Sequence, residues 1–184
     1  MNKNLLTLLL ACPLAASAAD WTQYRGATGD GISQETLKWS AAGLKSVWKA
    51  PSVGGFSSYT VAGGRAFTLC LRDLEGASQE FITAQDAATG KELWAAPLNV
   101  VAKYDKGGDD GTADNKGGDG PRSTPVVSGN SVFVFSSQLA LRAFDVETGK
   151  PQWTLDIKAE HEGRNIQWQT ATSPLLEGGL LFVG

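Results

Sequence analysis

The sequence predicts an all-β repeat protein built from short strands and tight turns, and three observations carry that expectation. Glycine supplies 22 of the 184 residues, well above its usual share of ~7%, and so many glycines demand many turns. An eleven-residue stretch, Ala84 to Trp94, returns without a gap as Ala143 to Trp153, an offset of 59 positions with six identities. A third pattern, an apolar strand, a glycine turn and a second apolar strand, occurs three times and is the signal of a β-hairpin.

Residues 1–18 read as an export signal. Lys3 gives the positive start, Leu5 to Leu14 a short apolar run, and Ala16-Ser17-Ala18 the small-residue cleavage pattern. The run falls short of the roughly 20 apolar residues that a membrane-spanning helix needs. Leu9-Leu10-Ala11-Cys12 loosely matches a lipoprotein box, in which Cys12 would be lipidated. Pro13 directly after the cysteine and the brevity of the apolar run favour soluble export to the periplasm or beyond. With Cys12 removed, Cys70 is the one remaining thiol, so no internal disulfide is expected. Its setting, Ala66-Phe67-Thr68-Leu69-Cys70-Leu71, reads as a small buried hydrophobe rather than a reactive site.

Residues 19–44 form an N-terminal extended segment, and 45–184 the repeat region. Hairpins are expected where Ser57 to Gly63 leads to Phe67, Ser123 to Gly129 to Phe133, and Thr172 to Gly178 to Phe182. Alternation of the hairpins with the eleven-residue motif sets units at about 57–98, 123–157 and 172–184. Within the motif, Asp-x-x-Thr-Gly is a turn: the aspartate accepts from backbone amides ahead of it, and glycine takes a positive φ. The alanine is small enough to sit beneath a neighbouring ring. The tryptophan closes the next strand, where its face can cover the adjoining unit, and Trp48 stands in comparable surroundings. One unit cannot bury both its faces, so neighbours must supply the core.

The pattern Ala-x-Asp-x-x-Thr-Gly-x-x-x-Trp resembles the tryptophan-docking repeat of pyrroloquinoline-quinone (PQQ) type β-propellers. The stretch Trp21-Thr22-Gln23-Tyr24-Arg25-Gly26, followed by Gly29-Asp30-Gly31, is similar to a branch of that superfamily common in exported bacterial propellers. The resemblance implies an all-β propeller of four-stranded blades in a closed ring of typically 4–8 blades. About two and a half blades cannot close such a ring, so the chain is expected to be an N-terminal fragment. Relatives in the superfamily include quinoprotein dehydrogenases, which carry PQQ and calcium on the propeller axis, and cofactor-free scaffolds of outer-membrane protein assembly. The former commonly hold a vicinal cysteine pair over the cofactor and an aspartate base near the metal. This sequence has no adjacent cysteines, and no aspartate matches the base.

The most unusual stretch is the connection 103–122, with Asp105, Asp109, Asp110, Asp114 and Asp119 among glycines. Clustered carboxylates could ligate calcium, but their spacing does not match the EF-hand loop, and a solvated acidic loop is the plainer reading. Gly118-Asp119-Gly120-Pro121-Arg122 leads straight into a strand, which makes Asp119 and Arg122 the candidates for lining the axial mouth. Thr89-Gly90-Lys91 and Thr148-Gly149-Lys150 lack the upstream glycine of a phosphate loop, with Glu92 and Pro151 where the hydroxyl residue would stand. Ser46-x-x-Lys49 has no companion motif of a serine acylase. His161 is the only histidine, which excludes a histidine-rich metal site, and its neighbours Glu160, Glu162 and Arg164 place it in a solvated loop. A net charge of −3 leaves no basic footprint for nucleic acid.

Two functions remain. One is an exported, non-catalytic propeller that binds a protein or polysaccharide partner in the cell envelope, without a cofactor. The other is a PQQ- and calcium-dependent dehydrogenase of alcohols or sugars.

Overall fold

The computed structural model describes residues 19–36, 43–51, 54–101, 120–165 and 169–184. The export signal with Cys12, and most of the acidic connection including Asp119, lie outside the described residues. Ten strands and one short helix make up the described elements. Strands β1 (Thr60–Ala62), β2 (Arg65–Leu74), β3 (Ala77–Asp86) and β4 (Glu92–Val101) form one antiparallel sheet in chain order. A second sheet repeats that order with β5 (Val126–Ser128), β6 (Ser131–Phe135), β7 (Ala140–Asp145) and β8 (Pro151–Asp156). Helix α1 (Ile157–His161) follows, and then the hairpin of β9 (Leu175–Glu177) and β10 (Leu180–Phe182). The fold is that of propeller blades: four-stranded meanders in which each strand pairs with the next.

The three expected hairpins share one register. Thr60 pairs with Phe67, Val126 with Phe133 and Leu175 with Phe182. Paired glycines at Gly63-Gly64 and Gly178-Gly179 make two of these turns, all at positive φ, a conformation that costs glycine little.

Each Asp-x-x-Thr-Gly turn is built alike. Asp86 Oδ1 accepts from Ala88 N (3.1 Å), Thr89 N (2.8 Å) and Thr89 Oγ1 (2.7 Å). Asp145 does the same with Glu147 N (3.1 Å), Thr148 N (2.8 Å) and Thr148 Oγ1 (2.7 Å). The threonine hydroxyl, followed by its amide, holds each carboxyl below the ordinary aspartate range.

The same turns receive the tryptophans. A Cβ on Gly149 would lie 2.5 Å from the Trp94 ring, and Trp94 Nε1 donates to Val146 O at 3.0 Å. Trp48 repeats the contact one blade earlier, with 2.4 Å to a Cβ on Gly90 and 3.0 Å from Nε1 to Ala87 O. The neighbouring ring over each motif alanine belongs to its own sheet, since Ala84 stands opposite Trp94 and Ala143 opposite Trp153. Trp94 therefore leans on its own blade through Ala84 and on the next through Gly149.

Apolar strand faces complete the joint. Phe67, Leu69, Ile82 and Leu98 of the first sheet share a core with Val127, Val132, Val134 and Phe144 of the second. Phe135, Leu139 and Leu141 pack with Leu155, Ile157, Leu181 and Val183, which ties the second sheet to the last hairpin. Cys70 is buried in the first sheet, and burial pushes its thiol pKa up. His161 is exposed as expected, but it closes helix α1 rather than lying in a loop. Asp156 caps that helix by accepting from Lys158 N and Ala159 N, which makes a helical turn where the sequence read as irregular.

Candidate functional site

Residues 20–26 cross the short leading strand of each sheet in turn. Trp21 exchanges two backbone hydrogen bonds with Val61, at 2.7 and 2.9 Å, and Asp20 Oδ1 accepts from Gly63 N at 3.1 Å. Thr22 O then accepts from Val127 N at 2.8 Å, and the buried Gln23 side chain accepts from Leu176 N at 3.2 Å. The segment turns back at Arg25 and Gly26, both at positive φ. A Cβ on Gly26 would come within 2.9 Å of the Trp21 ring, so this turn needs glycine for both backbone and space.

That strap and the three leading strands enclose a cleft of about 630 Å³. Tyr24 and Arg25 come from the strap, Phe56 and Ser58 from the approach to β1, Arg122 and Thr124 from the approach to β5, and Ala171 to Leu175 from the approach to β9. Three chain segments thus enter corresponding strands from the same side and bring their side chains together. Thr60 Oγ1 fastens the first two by donating to Pro125 O at 2.6 Å, and Ser173 Oγ fastens the second to the third by accepting from Thr124 N at 2.9 Å.

Arg122, expected at the axial mouth, lines this cleft with its guanidinium carbon 5.2 Å from the centre of the Phe56 ring, within cation–π range. Behind it lies Glu80, a fully buried carboxyl on β3. Glu80 Oε2 accepts from Ser137 N at 3.2 Å across the joint between the sheets. Burial raises its pKa, against the lowering effects of Ser137 and of the Arg122 charge. Sequence reasoning missed Glu80, because a glutamate in Ala77-Ser78-Gln79-Glu80-Phe81 alternates like a solvent-facing strand residue. It also gave no role to Tyr24, Arg25 or Phe56, which only the strap's path brings beside Arg122.

Among the described residues the cleft wall carries the guanidinium groups of Arg25 and Arg122, the rings of Tyr24 and Phe56 and the hydroxyls of Ser58, Thr124, Thr172 and Ser173, with no carboxylate among them. Such a wall can bind and orient an anion by charge-assisted hydrogen bonds. Calcium, which takes oxygen ligands, would find no carboxylate or amide oxygen among the described lining side chains. Among the described residues no three His, Cys, Asp or Glu side chains gather into a metal-binding group.

The family model described as outer membrane protein assembly factor BamB, PQQ_2, matches residues 23–184. The chain belongs to this family. The PQQ_2 match takes in both complete sheets and the last hairpin. Among solved structures, the quinohemoprotein alcohol dehydrogenase of Comamonas testosteroni is 19% identical, with a TM-score of 0.59 over 90% of this chain and 23% of that one. BamB from Moraxella catarrhalis is 14% identical, with a TM-score of 0.42 over 67% of this chain and 28% of that one. The quinohemoprotein alcohol dehydrogenase ADHIIG from Pseudomonas putida HK5 is 17% identical, with a TM-score of 0.47 over 72% and 17%. A sequence search of curated proteins returns no match. The chain spans 28% or less of the lengths of these three structures. Among the described residues no helix is long and apolar enough to cross a membrane.

Proposed function

We propose that this PQQ_2-family chain is an exported, non-catalytic binding module that engages a protein partner in the cell envelope through the cleft beneath its N-terminal strap. The observation that carries the reading is the composition of that cleft: arginines, aromatic rings and hydroxyls suited to recognition. The match to a family described by an assembly factor supports a protein as partner. The signal-like stretch 1–18 supports export, and the indoles packed over Gly90 and Gly149 support docking tryptophans as the joint between blades.

The competing dehydrogenase would need calcium and PQQ. The described cleft lacks the side-chain oxygen set that calcium requires, so no chemistry is routed through either group here. Calorimetric titration of the folded protein with PQQ and calcium separates the two readings. The binding module gives no saturable heat; saturable binding at micromolar concentrations, with turnover of an alcohol by an artificial acceptor, would overturn it.

A further inference from the structure

We propose that export processing cuts the chain between Ala18 and Ala19, and that Glu35 captures the new α-ammonium of Ala19, pinning the head of the strap. The inference rests on the exported reading and adds the processing site and the use made of the new terminus. In the sequence, Ala16-Ser17-Ala18 is the small-residue pattern that an export peptidase reads. In the structure, the next residue is already engaged: Ala19 N donates to Glu35 Oε1 at 2.5 Å, across 16 positions of chain.

The intervening loop is closed by its own hydrogen bonds. Gly29 N donates to Gly26 O at 3.1 Å and Gly31 N to Arg25 O at 2.9 Å. Asp30 Oδ1 accepts from Thr28 Oγ1 at 2.7 Å and Ile32 N at 2.9 Å, and Glu35 N donates to Ser33 Oγ at 3.2 Å. Immediately after Ala19 the strap is fastened by Asp20 Oδ1 on Gly63 N and by Trp21 on Val61. Ala19 and Glu35 thus meet at a fixed place, and both are exposed to solvent.

Processing changes what that place can hold. An export peptidase hydrolyses the Ala18–Ala19 peptide bond with water: the hydroxyl goes to the Ala18 acyl carbon, and Ala19 is left an amine that takes a proton. The precursor amide offers Glu35 one N–H, whereas the ammonium offers three and a charge. A charge-assisted bond of this kind is about twice as strong as a neutral one. Ser17-Ala18-Ala19 is also a triplet of small residues, but a cut after it would remove the nitrogen from which Glu35 accepts. The strap supplies Tyr24 and Arg25 to the cleft wall, so pinning its head holds that wall more firmly in the processed form.

Two measurements on the protein exported with its native signal test the proposal. Intact mass gives the mature terminus, expected at Ala19. A start at Asp20 or at an acylated Cys12 would overturn this inference and leave the binding module standing; an uncut chain would overturn export itself. Pulsed acetylation with an N-hydroxysuccinimide ester at neutral pH then reads the α-amine, located by mass spectrometry of the N-terminal peptide. Only unprotonated amine reacts, so E35Q is expected to react about threefold faster than wild type, the scale of an exposed ion pair. Thermal melts establish that E35Q is folded, and a wild-type rate rising with NaCl gives a readout independent of the variant. Equal rates in wild type and folded E35Q, or a wild-type rate indifferent to salt, would overturn the capture.

Discussion

A glycine beneath an indole has no room for even a methyl group. Gly149 holds φ 68° with the Trp94 ring 2.5 Å from where a Cβ would lie, whereas Gly129 holds φ 56° with open space around it. Both substitutions strain the backbone, but only one also displaces a ring. Gly149→Ala is therefore expected to destabilise by about 2–4 kcal/mol and Gly129→Ala by about 1 kcal/mol, read from denaturant midpoints. Glu80 sets a pH dependence of the opposite sense to an exposed acid. Its folded pKa is raised above the ordinary 4.5, so the folded state holds the proton more tightly than the unfolded chain. Stability from this group is full below about pH 4.5 and declines as pH rises through the folded value, with a slope of at most about 1.4 kcal/mol per pH unit. Glu80→Gln, which keeps an oxygen for Ser137 N–H, should flatten that decline; an unchanged pH profile would show that Glu80 is not its source. The sequence showed the turn glycines because Asp-x-x-Thr-Gly has a local hydrogen-bond logic. It hid Glu80, because burial at a joint is a property of two sheets and not of either strand.

Between elements, the tryptophans separate by what lies beneath them. Trp94 has the next blade's glycine under its ring and a bonded Nε1. Trp153 sits 5.8 Å from Phe133 in its own sheet and remains 42% exposed. Trp94→Ala is expected to cost about 3–5 kcal/mol, as for a buried aromatic, and Trp153→Ala about half as much. The motif alone predicts equal costs, so equal midpoints in urea would count against the inter-blade contact. The strap makes a second element-scale case. Gln23 is buried with its side chain on Leu176 N, and Gln23→Ala leaves that amide without its partner. A loss of about 1–3 kcal/mol is expected, with faster hydrogen exchange at Leu176 as the local signature. Hairpin register was legible in the sequence, since the same apolar spacing recurs at Phe67, Phe133 and Phe182. The strap's path was not, because its contacts join residues as far apart as Gln23 and Leu176 and follow no period.

At the scale of the molecule, repetition explains the site. Corresponding strands of successive blades begin on one side, so the segments that lead into them converge, and the strap seals the convergence. Arg122 was singled out from the sequence because Gly118-Asp119-Gly120-Pro121-Arg122 leads straight into a strand. Its neighbours were not, since Tyr24, Arg25 and Phe56 lie tens of residues from it in the chain. The convergence draws the cleft wall from three blades and the strap, and under the proposed function partner capture should depend on that surface. Site-specific photo-cross-linking in the native envelope tests this most directly, with the photoreactive residue at Tyr24 and, as control, at Leu93 on the exposed part of β4. A discrete protein adduct at position 24, absent at position 93 and lost with R122Q, is the expected result. Equal adducts at both positions, or none at position 24 in a folded and exported protein, would contradict a partner-binding cleft.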